Sequence, residues 1–235
     1  MKKTINRQGF TLIELLVVIT IIGVLATISF SGYSRFIENA RITKTVAVAK
    51  NVFNAMTSYA SDHNGKFPQK GAATSNGGNF SNAEDVFREF IVKEYVSDEK
   101  DFAVDNSPVE LDGYVGDAPN YNDAFSNADG GVHWSVIGNG TQTMRGSAPM
   151  AWENGSSDGW NPSWDPTKAG QPVAGRTWSG GKVVMVTISG KAEALEVEDV
   201  TTESKLKPLG TGSKNQFTAA FPDGSMEVMD PGLVN

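Results

Sequence analysis

One residue ionises within the apolar run from Phe10 to Phe30 (FTLIELLVVITIIGVLATISF), and it is Glu14. A carboxylate inside such a run costs about 2.5–3.5 kcal/mol on membrane-insertion scales, so it calls for a cation or a hydrogen-bond donor. The run supplies no Lys or Arg. A cut between Gly9 and Phe10 would create one cation nearby, the α-amino group of Phe10, about 6 Å along the axis of the same helix. The corresponding amine of a neighbouring copy is at least as reachable, and pairing with it would set the axial register between subunits.

Two further groups of residues have the right types for ligand chemistry. Asp112, Asp117, Asn122, Asp123 and Asp129 lie in a Gly- and Asn-rich stretch and offer hard oxygen ligands of the kind calcium takes, without EF-hand spacing. The plainer reading is a solvated acidic loop. Trp152, Trp160, Trp164 and Trp178 stand among Asn, Ser and Pro. Trp160 and Trp164 in particular are candidates for stacking on a glycan or other surface ligand, and the plainer reading makes the tryptophans the core of a loop-rich region. Catalysis has little to carry it. His63 and His133 are far apart, and no G-x-S-x-G, H-E-x-x-H or P-loop is present.

These residues need elements to hold them. Residues 1–9 form a short basic leader, and the 21 residues from Phe10 to Phe30 make a helix of about 31 Å, the thickness of a bilayer core. The positive flank places the leader in the cytoplasm and the body outside. Ile42, Val46, Ala49, Phe53, Met56 and Ala60 recur at spacings of three and four, so the helix continues through 31–62 as an amphipathic half. It stops at Asn64-Gly65, with Pro68 just beyond. Residues 63–235 form a head. Its short helix covers about 83–96, capped by Ser81 or Asn82, and a loop-rich Gly/Asn/Trp insert covers about 97–180, in which Trp134–Ile137 and Met150–Trp152 read as short strands. The C-terminal strands fall at about 181–230. Lys182–Ile188 with Ala192–Val197 reads as one hairpin, and Phe217–Phe221 with Ser225–Met229 as another. The fold class is α+β, a long helix packed on a small antiparallel sheet of three or four strands.

Gly9-Phe10-Thr11-Leu12-Ile13-Glu14, after a basic leader and before a uniform apolar run, resembles the processing signature of type IV prepilins and type II secretion pseudopilins. Tyr59 followed by Asp62-His63-Asn64-Gly65-Lys66-Phe67-Pro68 is similar to the segment that ends the long helix in major pseudopilins. The resemblance implies a pilin-like fold, cleavage between Gly9 and Phe10 by a prepilin peptidase, N-methylation of Phe10, and pairing of Glu14 with an adjacent subunit's Phe10 amine. It implies a subunit that polymerises with itself into a pilus-like filament, with an inner-membrane assembly platform, an assembly ATPase and minor pseudopilins or pilins as partners. The subunit would begin as a single-pass inner-membrane protein with a periplasmic head and end in a filament, and no enzyme activity is implied. A structural calcium ion is the one cofactor the resemblance suggests; it assigns no ligands here, and Asp112, Asp117, Asp123 and Asp129 are the candidates by residue type. The chain departs from the pattern in its length, in the insert, and in carrying Ser31-Gly32 where many members have a proline. A membrane-tethered or filament-tip binding module, using Trp160 and Trp164, is the alternative from another class.

Composition sets the outer limits. The 235 residues carry a net charge of −7, and without Lys2, Lys3 and Arg7 there remain 17 basic against 27 acidic residues, a balance of −10. An acidic body argues against nucleic acid as a partner. There is no cysteine, so the head is stapled by packing or by an ion rather than by disulfides.

Overall fold

The long helix α1 runs from Leu12 to Asp62 in the computed structural model, which describes residues 10–119, 121–125, 131–198 and 202–232, with backbone alone at 28–32. The chain divides into two units, Met1–Ala40 and Arg41–Asn235, and α1 contributes to both. In the first unit the described side chains from Phe10 to Thr27 are exposed all round the helix. Thr20 and Thr27 donate their hydroxyls to the carbonyls of Val17 and Val24, both at 2.8 Å, which satisfies these polar groups within the helix itself.

In the second unit α1 buries Thr45, Val48, Ala49, Val52, Ala55, Met56, Tyr59 and Ala60. Ile42, Val46 and Phe53 flank this stripe half-buried, so the core-facing line is turned slightly from the one drawn on the sequence. The helix ends as Asn64-Gly65 dictates. Asn64 and Gly65 have φ of 54° and 77°, and the Gly65 N–H reaches back to the Ala60 carbonyl at 2.7 Å. His63 stacks on Tyr59, with centroids 3.8 Å apart, and its Nδ1 meets the Tyr59 carbonyl at 2.7 Å.

The second helix, α2 (Ala83–Val92), opens with a capping box. Asn82 accepts from the Asp85 N–H at 3.1 Å and Asp85 accepts from the Asn82 N–H at 3.3 Å. It ends four residues earlier than the sequence suggested, because Glu94 takes φ 58° and the Tyr95 and Val96 N–H groups both turn back to the Phe90 carbonyl. Phe87, Phe90, Phe102 and Phe125 meet edge-on or tilted beneath it.

Five antiparallel strands form one sheet, in the order β4-β3-β2-β1-β5: β1 Trp134–Ile137, β2 Pro149–Glu153, β3 Lys182–Thr187, β4 Ala192–Glu196 and β5 Val228–Met229. The fold is α+β, the long helix first and the sheet after it. The β3–β4 hairpin falls where the sequence placed it. The stretch read as an insert contributes β1 and β2, two of the three interior strands of the sheet. The second expected hairpin is corrected: Gln216–Ala220 is a short helix, α3, and only β5 is a strand. Asn215 and Thr218 cap α3 reciprocally, at 3.1 and 3.0 Å, and this local bonding outweighs the strand-like alternation of Phe217–Phe221.

Candidate assembly site

The start of α1 is built by two residues. Glu14 accepts from the Thr11 N–H at 2.8 Å and from the Thr11 hydroxyl at 2.6 Å, and that hydroxyl in turn accepts from the Glu14 N–H at 3.3 Å. This is the T-x-x-E capping box, and it satisfies donors that the first turn of any helix leaves open. The negative charge also lies at the positive end of the helix dipole. The pair therefore answers part of the need that Glu14 creates, without a cation. Phe10 precedes the helix with its side chain 78% exposed, and Leu12 and Ile13 are similarly bare. Gly9 lies outside the described residues, as does the rest of the leader.

Among the described residues no helix is long and apolar enough to cross a membrane. The fully described apolar stretch, residues 12–27, is about 24 Å long, short of a hydrocarbon core of about 30 Å. The span read from the sequence extends past it through 28–30.

A family model for the prokaryotic N-terminal methylation motif matches residues 5–30, the segment that contains this cap. The N-terminal segment carries a prepilin-type motif. The chain is similar to a type IV major pilin protein of Neisseria gonorrhoeae, 36% identical over 63 residues, which are 27% of this chain and 38% of the relative. It is also similar to a fimbrial protein of Neisseria meningitidis serogroup B, 36% identical over 73 residues, covering 29% of this chain and 42% of the relative. A fimbrial protein of Eikenella corrodens is 37% identical over 67 residues, 28% of this chain and 43% of the relative. The chain thus spans about two fifths of the length of the curated relatives it matches. No solved structure matches it.

The head places the other candidates differently. Trp164 is fully buried and donates its indole N–H to the Glu153 carbonyl at 3.3 Å, so it is a core residue and not a stacking platform. Trp160 is half-buried and sits edge-on to Trp152, Phe217 and Phe221 at centroid distances of 5.8, 4.9 and 5.7 Å. Trp178 and Trp152 are buried as well. The tryptophans fill a region short of aliphatic side chains.

The acidic loop does not gather into a cage. Asp112 accepts from the Tyr114 N–H at 2.7 Å in a local turn, and the Asp123 carboxylate lies against Gly116. Among the described residues no three His, Cys, Asp or Glu side chains converge as metal ligands. Asp129 lies outside the described residues.

Sequence reasoning missed a heavily bonded buried group in the head. Glu153, 1% exposed, accepts from the Trp178 indole at 3.2 and 3.0 Å and from the Val184 N–H at 2.7 Å. It also meets His133 Nε2 at 3.2 Å and Arg176 Nη2 at 3.6 Å. Arg176 lies 3.9 Å over the Trp178 ring and donates to the carbonyls of Asn106 and Asp105. Burial pushes the Glu153 carboxyl up, but its bond with His133 and the charge of Arg176 outweigh this and leave it below the usual range. Burial holds His133 low. A charged Glu153 takes the Nε2 proton, which leaves Nδ1 to accept from the Ser107 hydroxyl at 2.9 Å. Ser107, His133 and Glu153 have the residue types of a nucleophile–base–acid array. All three are buried, however, and Ser107 Oγ already accepts from the Val109 N–H at 3.0 Å. The array is a strut that ties the 105–109 loop and Arg176 to β2. No local sequence signal announces it, because its members are distant in the chain.

Proposed function

We propose that the chain is a structural subunit that polymerises through α1 into a pilus-like filament. The observation that carries this reading is Glu14, the one charged residue between Phe10 and Ser34, set within the matched prepilin motif on a stretch of helix whose described side chains, 10–27, are exposed all round. Cleavage after Gly9 would leave a Phe10 amine four residues from Glu14, and a prepilin peptidase that methylates that amine is the expected processing enzyme. In this reading the Thr11–Glu14 cap holds the carboxylate in place before assembly, and the neighbouring subunit's amine completes its shell within the filament. The subunit starts in the inner membrane, spanning it once with residues 10–30, its head periplasmic. An assembly platform, an assembly ATPase and minor pilins or pseudopilins draw it into the fibre. Its role is structural and no enzyme activity is assigned to it.

A type II secretion filament fits the Asp62–Pro68 segment and the absence of cysteine, and the relatives favour a type IV pilus. Genomic neighbours distinguish these, since a retraction ATPase accompanies the pilus and an outer-membrane channel the secretion system. The binding-module alternative would rest on the half-buried Trp160, since Trp164 lies in the core.

Mass spectrometry of the mature N-terminus tests the reading. Methylated Phe10 supports it, and an intact Met1 in assembled or secreted material overturns it. Glu14→Ala should remain membrane-bound yet give little filament, and a normal filament yield from that variant counts against the assembly role.

A further inference from the structure

The sheet of the head ends on β4, and half of that edge is open. The Thr187 N–H donates to the Lys191 carbonyl at 3.0 Å and the Val197 N–H to the Gly181 carbonyl at 2.7 Å, so in this register Glu193 and Leu195 also bond to β3. Ala192, Ala194 and Glu196 therefore turn their N–H and C=O groups outward. The chain covers the far part of this edge itself. Leu206 bridges Val197, and the Lys207 N–H donates to the Glu196 carbonyl at 2.9 Å. There the cover stops. Pro208 has no N–H to give, and the Leu209 N–H turns to the Lys214 carbonyl at 2.8 Å. Among the described residues nothing bonds to the outward groups of Ala192 and Ala194.

An open strand edge is a template for another strand, and the side chains along it decide which strand fits. Lys191 and Glu193 project from the face opposite to Ala192, their side chains 67% and 32% exposed, and they pair at 2.7 Å. A strand of arbitrary sequence sets like charge against one of them. A second copy does not. When two copies pair antiparallel about Ala192, the two Ala192 residues exchange both of their outward bonds, and Lys191 of each copy lies opposite Glu193 of the other. Four charges then alternate around a square, each flanked by two of opposite sign. The next register that keeps outward groups facing is centred on Glu193, and it sets the two Glu193 carboxylates against each other. The length fits as well. The second copy's hairpin turns away at its Gly190, opposite Ala194, before it reaches the line of Lys205 to Lys207.

We propose that the open half of the β4 edge pairs with the same edge of a second copy, antiparallel about Ala192, joining the two five-stranded sheets into one. The contact is two-fold and self-complementary. A filament of like-oriented subunits contains no such two-fold, so the contact joins chains that are not neighbours in one fibre, and it does not depend on whether the chain assembles. Between single chains it is weak, and rows of copies multiply it.

Because the chain has no cysteine of its own, the register can be read directly. Two Ala192→Cys chains would set their Cα atoms about 5.5 Å apart, within disulfide reach, whereas in two Ala194→Cys chains they would lie about 14 Å apart along the strands. The full-length chain, concentrated in detergent micelles and mildly oxidised, should give disulfide dimers with Ala192→Cys and about tenfold fewer with Ala194→Cys. Adding Lys191→Glu to Ala192→Cys sets like charges opposite each other twice and should cut the yield about tenfold, and Glu193→Lys in the same chain should restore it. Equal yields at the two cysteine positions, or a yield indifferent to Lys191→Glu, overturn the proposal. A second measurement needs no cysteine. Unmodified chains, half of them isotope-labelled, should give on carbodiimide treatment a mixed-isotope link between Lys191 and Glu193. Links confined to one isotope show that the ion pair forms only within a chain, and they overturn the proposal too.

Discussion

The Glu14 carboxylate takes two hydrogen bonds from one residue, the Thr11 N–H and the Thr11 hydroxyl, within the first turn of α1. A charge that sequence arithmetic leaves without a partner in its own span is thereby held in one rotamer, pointing toward the end of the chain where a new amine would arise. Thr11→Ala removes one donor and the reciprocal acceptor. The expected cost is about 1 kcal/mol, confined to the first turn. Amide exchange of Leu12 to Leu15 in micelles should quicken several-fold in that variant while exchange beyond Val18 stays as it was.

Glu153→Ala should be among the most damaging single changes in the head. It leaves the Trp178 indole, the Val184 N–H and Arg176 facing a buried gap, and breaking a buried ion pair on one side costs about 3–5 kcal/mol. Urea unfolding of the full chain measures this. A double change, Glu153→Leu with Arg176→Met, should recover part of the loss, because no uncompensated charge remains.

Acid should weaken the head through His133. Burial lowers its folded pKa below the unfolded value of about 6.5, so the unfolded chain takes the proton first. Stability is then full above that value and falls as the pH drops through it toward the folded pKa. The ion-pairing groups that face His133 are Glu153, which favours its protonation, and Arg176, which opposes it. His133→Gln should flatten the urea midpoint between pH 7.5 and 5.5 relative to the unmodified chain, whatever its absolute stability.

Glu84 works in the opposite sense. Burial raises its carboxyl despite N–H donors from Gly232 at 2.8 Å and Gly131 at 3.3 Å, and its second oxygen has no protein partner. A raised carboxyl contributes stability below its unfolded value of about 4.3 and loses it as the pH climbs through the folded value. Glu84→Gln keeps an acceptor and removes the charge, so the gain in melting temperature that the unmodified chain shows between pH 7 and 5, relative to the variant, should disappear at this site. Thermal melts of both at matched pH read the difference.

Gly190 has φ 81° in the β3–β4 turn, and a Cβ there would fall 2.9 Å from the Phe53 ring. Gly190→Ala should cost about 1–3 kcal/mol through strain and overpacking. Phe53→Leu in the same chain should relieve the contact but not the backbone strain, and a double-mutant cycle on the melting temperature separates the two.

What the sequence revealed and concealed follows the range of the interactions involved. Glu14 stood out because one charge in an apolar run is a local anomaly, and the end of α1 was written in Asn64-Gly65. Thr11 is equally legible as T-x-x-E, a cap that needs no cation. Asn215-x-x-Thr218 is a local cap of the same kind, hidden behind the strand-like alternation of Phe217–Phe221. Whether Trp164 faced a ligand or the core depended on Glu153 and Phe217, which lie far from its own neighbourhood in the chain. The pairing of β5 with β1, and the meeting of His133 with Glu153 and Arg176, join residues whose separation leaves no periodic trace.

The placement of β5 beside β1 also fixes when the head can close. Val228 and Met229 complete the sheet, Asp230 accepts the Ala83 N–H that opens α2, and Gly232 donates to Glu84 on that helix. Residues 228–232 are thus bonded to a helix some 140 positions earlier in the chain. A chain released vectorially, from ribosome or translocon, cannot finish this unit until residue 232 has emerged, however early α2 and the β3–β4 hairpin form. The polypeptide thus carries its own completion check: a copy lacking β5 and Gly232 leaves the β1 edge unpaired and the buried Glu84 with one donor fewer.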